Sequence, residues 1–184
     1  AARTQRAPGR GRDLEVTVEL TLEEAFLGTM RTIQIGERRI EAKIPPGVRT
    51  GSRVRLAGQG SAGTANGPAG DLYLEIQVAP HPQFERDGDD LRVTIPVDFY
   101  TAVTGGTVRV PTLDGAVQLK IPPRTQADRI FRLKGKGMPR LEKPTTRGDL
   151  YAQVKLVLPD ALSEQEIETL QSLAQARRAR EAQP

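Results

Sequence analysis

Apolar and polar residues alternate along most of this chain, and they do so in two matching rounds. Leu14, Val16, Val18 and Leu20 are separated by Glu15, Thr17 and Glu19, the period-two pattern of a strand with one face in a core. Thr21-Leu22-Glu23-Glu24 interrupts the alternation with a capping box, so a helix of about one and a half turns is predicted, closed at Gly28 by a left-handed cap. Alternation resumes over 30–35, Gly36-Glu37 supplies a turn, and 40–44 forms a third strand stopped by Pro45-Pro46. Two more strands are predicted at 53–56 and 72–78. The order then returns: 91–97, a short helix capped by Asp98, 107–110, 116–121, 130–133 and 150–158.

The second round is a copy of the first. Leu14, Val16, Ala25 and Gly28 recur as Leu91, Val93, Ala102 and Gly105. Lys43-Ile44-Pro45-Pro46 recurs as Lys120-Ile121-Pro122-Pro123, and Arg55-Leu56-x-Gly58-x-Gly60 as Arg132-Leu133-x-Gly135-x-Gly137, all at an offset of 77. Gly70-Asp71-Leu72-Tyr73 returns one residue later as Gly148-Asp149-Leu150-Tyr151. A constant offset over such a span means two copies of one folding unit. Short strands separated by Gly and Pro make the chain mainly β: two tandem homologous β-sandwich or barrel-like domains, each with one short helix. The expected division is an Arg/Pro/Gly-rich linker over 1–12, a first β-domain over 13–88, a second over 89–160, and a C-terminal helix and tail over 161–184. That last segment opens with a capping box, Ser163 to Glu166. Ile167, Leu170, Leu173 and Ala174 then share one face, an amphipathic helix.

Composition narrows the chemistry. With no Cys and one His, the chain has no disulfide framework and no histidine or thiolate zinc site, and no cofactor is expected. No apolar run approaches membrane-spanning length and no signal-peptide core is present, which favours a cytoplasmic protein. The chain begins Ala-Ala-Arg-Thr, as a piece of a longer protein would. Net charge is +4, with Arg3, Arg6, Arg10 and Arg12 at one end and Arg177, Arg178 and Arg180 at the other. These read as solvated termini or as contacts to nucleic acid, though no aromatic residue sits among them to stack a base. Gly58-Gln59-Gly60-Ser61-Ala62-Gly63 matches a dinucleotide fingerprint but opens no helix, so it reads as a strand-to-strand loop. Asp87, Asp89 and Asp90 read as solvated turn carboxylates around Gly88. No serine has a base beside it, and His81 stands alone, so no enzyme active site assembles.

Taken in order and in duplicate, these motifs carry a resemblance. Lys-Ile-Pro-Pro before a strand, Gly-x-Gly followed by Gly-Asp-Leu-Tyr, and the segment from His81-Pro82-x-Phe84-x-Arg86-Asp87-Gly88 to Asp90-Leu91 resemble the C-terminal region of DnaJ-type co-chaperones, over about residues 13–175. Lacking the cysteine-rich zinc insert, the chain resembles the zinc-free branch, which includes curved-DNA-binding relatives. The only His-Pro reads His81-Pro82-Gln83, not the His-Pro-Asp of a J-domain, so no stimulation of a partner ATPase is expected from this sequence by itself. The resemblance implies a module that holds non-native polypeptides for a DnaK-type chaperone. It implies a peptide cleft at Val16, Val18, Ile33, Ile35, Ile40 and Leu74, which periodicity alone would assign to the core. It further implies that Arg31 meets the partner's acidic tail, and that the chain forms a homodimer through Ile167, Leu170 and Leu173. A basic DNA-binding module is the alternative. The first repeat is expected to carry the peptide site, because the second places Pro96 and Pro111 in its strands.

Overall fold

A computed structural model of the chain describes residues 8–182. In the first unit, β1 (Leu14–Leu20) leads through α1 (Leu22–Leu27) into a hairpin of β2 (Thr29–Ile35) and β3 (Arg38–Ile44), followed by β4 (Arg53–Leu56) and β5 (Leu72–Val78). β6 (Phe84–Asp87) opens the second unit. It is followed by β7 (Asp90–Asp98), α2 (Phe99–Thr104), the hairpin β8 (Gly106–Thr112) and β9 (Gly115–Ile121), then β10 (Ile130–Leu133), β11 (Leu150–Val157) and α3 (Glu164–Glu181). The ends of the expected strands agree with the structure to within two residues. The fold is mainly β, in two tandem homologous units.

Each unit pairs its first and last strands in parallel, β1 with β5 and β7 with β11. Leu14 opposes Leu72 and Leu91 opposes Leu150, so the sequence repeat is also a repeat of register. The sheets run β1-β5-β4 and β10-β11-β7-β6, and each hairpin forms a separate two-stranded sheet. The short helices begin as expected. Thr21 accepts from the Glu24 amide while the Glu24 carboxylate accepts from Thr21 N–H, and Asp98 caps α2. They end differently: Gly28 and Gly105 have positive φ, but ψ is 157° and 160°, a mirror-extended conformation open to glycine. Each helix therefore turns directly into its hairpin rather than closing on itself.

The duplicated Arg-Leu-x-Gly and Gly-Asp-Leu-Tyr motifs form one knot per unit. The Asp71 carboxylate accepts from Gly58 N–H at 2.8 Å and Arg55 Nε at 2.9 Å, while Asp149 accepts from Gly135 N–H at 2.8 Å and Arg132 Nε at 2.6 Å. These bonds, the glycine amides first, hold both carboxyls below the usual aspartate range. The dinucleotide-like glycines lie in the loop between β4 and β5, as the sequence context required.

Two expected boundaries change. β6 pairs with β7 and belongs to the second sheet, so the division at 88/89 moves ahead of Phe84. The 1–12 linker is revised from residue 8 onward. Gly9 exchanges backbone hydrogen bonds with Thr64, Gly11 donates to the Pro68 carbonyl, and Arg12 accepts from Ser61 N–H. A Cβ at Gly11 would stand 1.8 Å from the Ser61 carbonyl oxygen. The glycines of this strap permit backbone packing that any side chain would block. Arg3 and Arg6 lie outside the described residues, and Arg10 pairs with Asp13 and Asp71.

The units are joined by packing as well as by the chain. Arg86 on β6 donates to the carbonyls of Gly47 and Val48 in the first unit at 3.2 and 2.7 Å. Arg147 lies over the Phe26 ring of α1, 4.7 Å from its centroid. His81 Nδ1 accepts from the amides of Gln83 and Phe84, which leaves Nε2–H to donate to Glu23 of α1 at 2.9 Å. The buried residues of both units form one cluster that includes Val48, Phe84 and Met138.

Asp114, in the β8–β9 turn, sits beneath this junction. Burial would raise its carboxyl pKa, but hydrogen bonds from Thr112, Arg147 and Lys136 outweigh burial and lower it to about 2. A depressed folded value stabilises the protein above the unfolded pKa, and that contribution disappears as pH falls through the folded value. The stability gap between wild type and Asp114→Asn is expected to be about 1–2 kcal/mol near neutrality. Urea unfolding of both proteins across the acid range should show the gap closing between roughly pH 4 and pH 2. A gap independent of pH would contradict this role. Among the described residues no helix is long and apolar enough to cross a membrane.

Candidate functional site

Among the described residues, β1 and β2 are each hydrogen-bonded on one side only. β1 pairs with β5, β2 pairs with β3, and the two are not paired with each other. α1 connects the end of β1 to the start of β2 and leaves a seam between their unpaired edges. The Arg31 guanidinium reaches the Glu19 carbonyl at 3.5 Å, which marks the seam's helix end. Each unpaired edge carries main-chain donors and acceptors, which makes it a template for a further strand.

Apolar positions line this seam to different depths. Leu74 is fully buried at the base. Val18 is 7% exposed, and Ile33 and Ile40, cross-strand partners on the hairpin, are 9% exposed. Val16 and Ile35 are half-buried. Exposure thus increases along β1 from Leu20 to Val16, and the seam opens toward the Val16 and Ile35 end. Of the six expected cleft residues, Val16 and Ile35 are half-buried, while Val18, Ile33, Ile40 and Leu74 belong to the buried core. Leu74 lies beside Val16 in the β1–β5 register, is fully buried in the core and offers no surface to a ligand.

Arg31 stands at the closed end, with its side chain 40% exposed. Its Nη2 donates to both Glu24 oxygens, at 2.7 and 2.8 Å, while Nε is buried without an acceptor among the described residues. Glu24 is the capping-box residue of α1, and its second role as the partner of Arg31 was not read from sequence. At the open end Arg38 donates to the carbonyls of Gln59 and Gly60, tying the hairpin to the glycine loop.

The matching seam of the second unit is closed at its mouth only, and among the described residues Thr94–Asp98 of β7 pairs with β11 alone. β6 covers β7 over Asp90–Val93, the residues that correspond to Asp13–Val16, so that stretch of β7 is paired on both sides. Pro96 and Pro111 also lie within β7 and β8. The Asp87-Gly88 turn was the sequence signal for this hairpin, since a turn dipeptide between two extended runs marks one.

α3 contributes no buried residue. Ile167 and Leu173 are 43% and 62% exposed, Leu170 is half-buried, and a hydrogen bond of 3.5 Å joins Tyr100 to Glu166. The amphipathic pattern holds for two turns only. Arg177 follows Leu170 by seven residues and comes round to the same side, so the second half of the helix lacks an apolar face. Arg177 there pairs with Glu181. No cluster of His, Cys, Asp and Glu that could hold a metal occurs among the described residues.

Comparison with known proteins agrees with this architecture. Residues 14–159 match the model of the DnaJ C terminal domain. Chaperone protein DnaJ 2 of Thermus thermophilus is 47% identical over 171 residues, covering 93% of this chain and 59% of that protein. Chaperone protein DnaJ of Natronomonas pharaonis is 48% identical over 140 residues, covering 76% of this chain and 37% of that protein. Chaperone protein DnaJ of Acidithiobacillus ferrooxidans is 46% identical over 137 residues, covering 74% and 36%. The chain thus spans between about a third and three-fifths of the length of these relatives. With one family match running across both β-units and relatives near half identity, the chain belongs to the DnaJ C-terminal domain family.

Proposed function

We propose that this region is the non-catalytic, substrate-holding part of a cytoplasmic DnaJ-type co-chaperone, and that it captures non-native polypeptide in the β1–β2 seam for a DnaK-type partner. The observation that carries the reading is the pair of unsatisfied strand edges flanking an apolar floor. An extended peptide entering there gains main-chain hydrogen bonds independent of its sequence, while Val16, Val18, Ile33, Ile35 and Ile40 favour apolar side chains. Folded proteins lack free extended segments, so the same geometry selects unfolded ones. Arg31, at the end of the seam, is the proposed contact for the acidic tail of the partner. The exposed Ile167, Leu170 and Leu173 are the proposed contact with a second copy of the chain.

Retention of a fluorescent denatured polypeptide, titrated at low and high salt, tests this reading. Apolar capture should persist as salt rises, whereas phosphate-type binding, as to DNA, falls steeply. The comparisons give no support to the DNA alternative. A photoreactive unfolded peptide should crosslink mainly within residues 14–44. Crosslinks concentrated at 89–160 would assign capture to the wrong unit.

A further inference from the structure

We infer that Glu24 is a built-in stand-in for a ligand carboxylate: it occupies Arg31 while the seam is empty and is exchanged when an acidic peptide arrives. The inference rests on the proposed reading of Arg31 as a carboxylate contact. Three features of the geometry support the exchange. Arg31 uses its fork incompletely, because its hydrogen bonds run through Nη2 and its buried Nε has no acceptor among the described residues. A guanidinium binds a carboxylate best through two parallel N–H donors, and Nε with Nη2 is such a pair. An incoming carboxylate that took both would improve on the present arrangement.

Glu24 is also easily released. Its Oε2 accepts Thr21 N–H at 3.0 Å, and its side chain is 28% exposed. When Arg31 leaves, Glu24 keeps its place at the N-terminus of α1 and no charge is stranded. Finally, the pair filters ligands by charge. A neutral apolar strand settles on Val16 and Ile35 without disturbing it. An acidic segment must displace a carboxylate already in position, so Glu24 weakens acidic ligands selectively.

The test uses the full chain and two short probes: an extended peptide ending in two glutamates and a free carboxylate, and its amidated counterpart with glutamines. Glu24→Gln keeps the capping box, which accepts Gln at that position, so its melting temperature should match wild type. It should bind the acidic probe about two- to fivefold more tightly, the range of a partly exposed ion pair, and leave the neutral probe unchanged. The gain should vanish when Arg31→Met is added. If Arg31→Met weakens the acidic probe but Glu24→Gln has no effect, Arg31 is a carboxylate contact and the stand-in role is wrong. If Arg31→Met leaves the acidic probe unaffected, the reading of Arg31 fails and the inference with it. A gain that survives in the double variant would reflect general charge and would also overturn it.

Discussion

Ile35→Asp is expected to abolish retention of an unfolded polypeptide while leaving the β-units folded. Ile35 is half-buried at the open end of the seam, so a carboxylate there keeps much of its hydration in the free protein. A bound client would remove that hydration and lose its apolar contact. Removing about 100 Å² of apolar burial costs about 2.5 kcal/mol, so a loss of roughly fiftyfold in affinity or more is expected. Anisotropy of a labelled denatured polypeptide measures the loss, and thermal melting followed by circular dichroism measures the fold. Leu74→Asp supplies the contrast. Its side chain is fully buried, and an unpaired charge there should unfold the first unit outright. Binding by Ile35→Asp within twofold of wild type would remove the seam from consideration.

Ending the chain at Leu162 is expected to convert a dimer into a monomer and to weaken retention of long clients by about ten- to a hundredfold, while short peptides bind as before. Among the described residues, nothing of its own chain covers Ile167 and Leu173 on each helix. Two seams in one particle raise the effective concentration of the second for any client that reaches both, and that advantage vanishes in the monomer. A short peptide touches one seam and is indifferent. Because the apolar stripe spans only two turns, pairing should also weaken on dilution. Sedimentation of the intact and shortened chains over a range of concentrations reads the result. A monomeric intact chain at tens of micromolar would refute the pairing.

The repeat made most of this architecture legible in the sequence, because one offset fixed five pairs of elements at once and a shift of one residue fixed the sixth. Period-two alternation found the strands of β1 and β5 but could not rank their apolar residues by depth. Val16 and Leu74 follow the same pattern and oppose each other in register, yet one is half-buried and the other fully buried. Depth follows the place of the strand in the sheet, since β5 is flanked by β1 and β4 while β1 is an edge, and no local pattern encodes that. Two further features were hidden for opposite reasons. β6 is four residues long and mostly charged, so it resembles a turn. The strap at 8–12 has glycine where a strand would carry side chains, and its order comes from backbone contact with a distant loop. Glu24 concealed its second role behind a complete local one, since the capping box already accounted for it.

β6 also bears on how many copies of the chain can join by exchanging strands. A subunit with two vacant lanes is a difunctional monomer, able to link in both directions and grow a fibre. A subunit with one is a chain terminator. By pairing with the stretch of β7 that matches the mouth of the β1 lane, β6 makes the two lanes of the duplication unequal and blocks the second at its mouth. The outer strands β4 and β10 are four residues each and carry Arg53, Arg55 and Arg132, features that discourage pairing at an edge. If the β1 lane is the one that takes an extended segment, two copies that lend each other a strand there present a third copy with a second lane already blocked at its mouth.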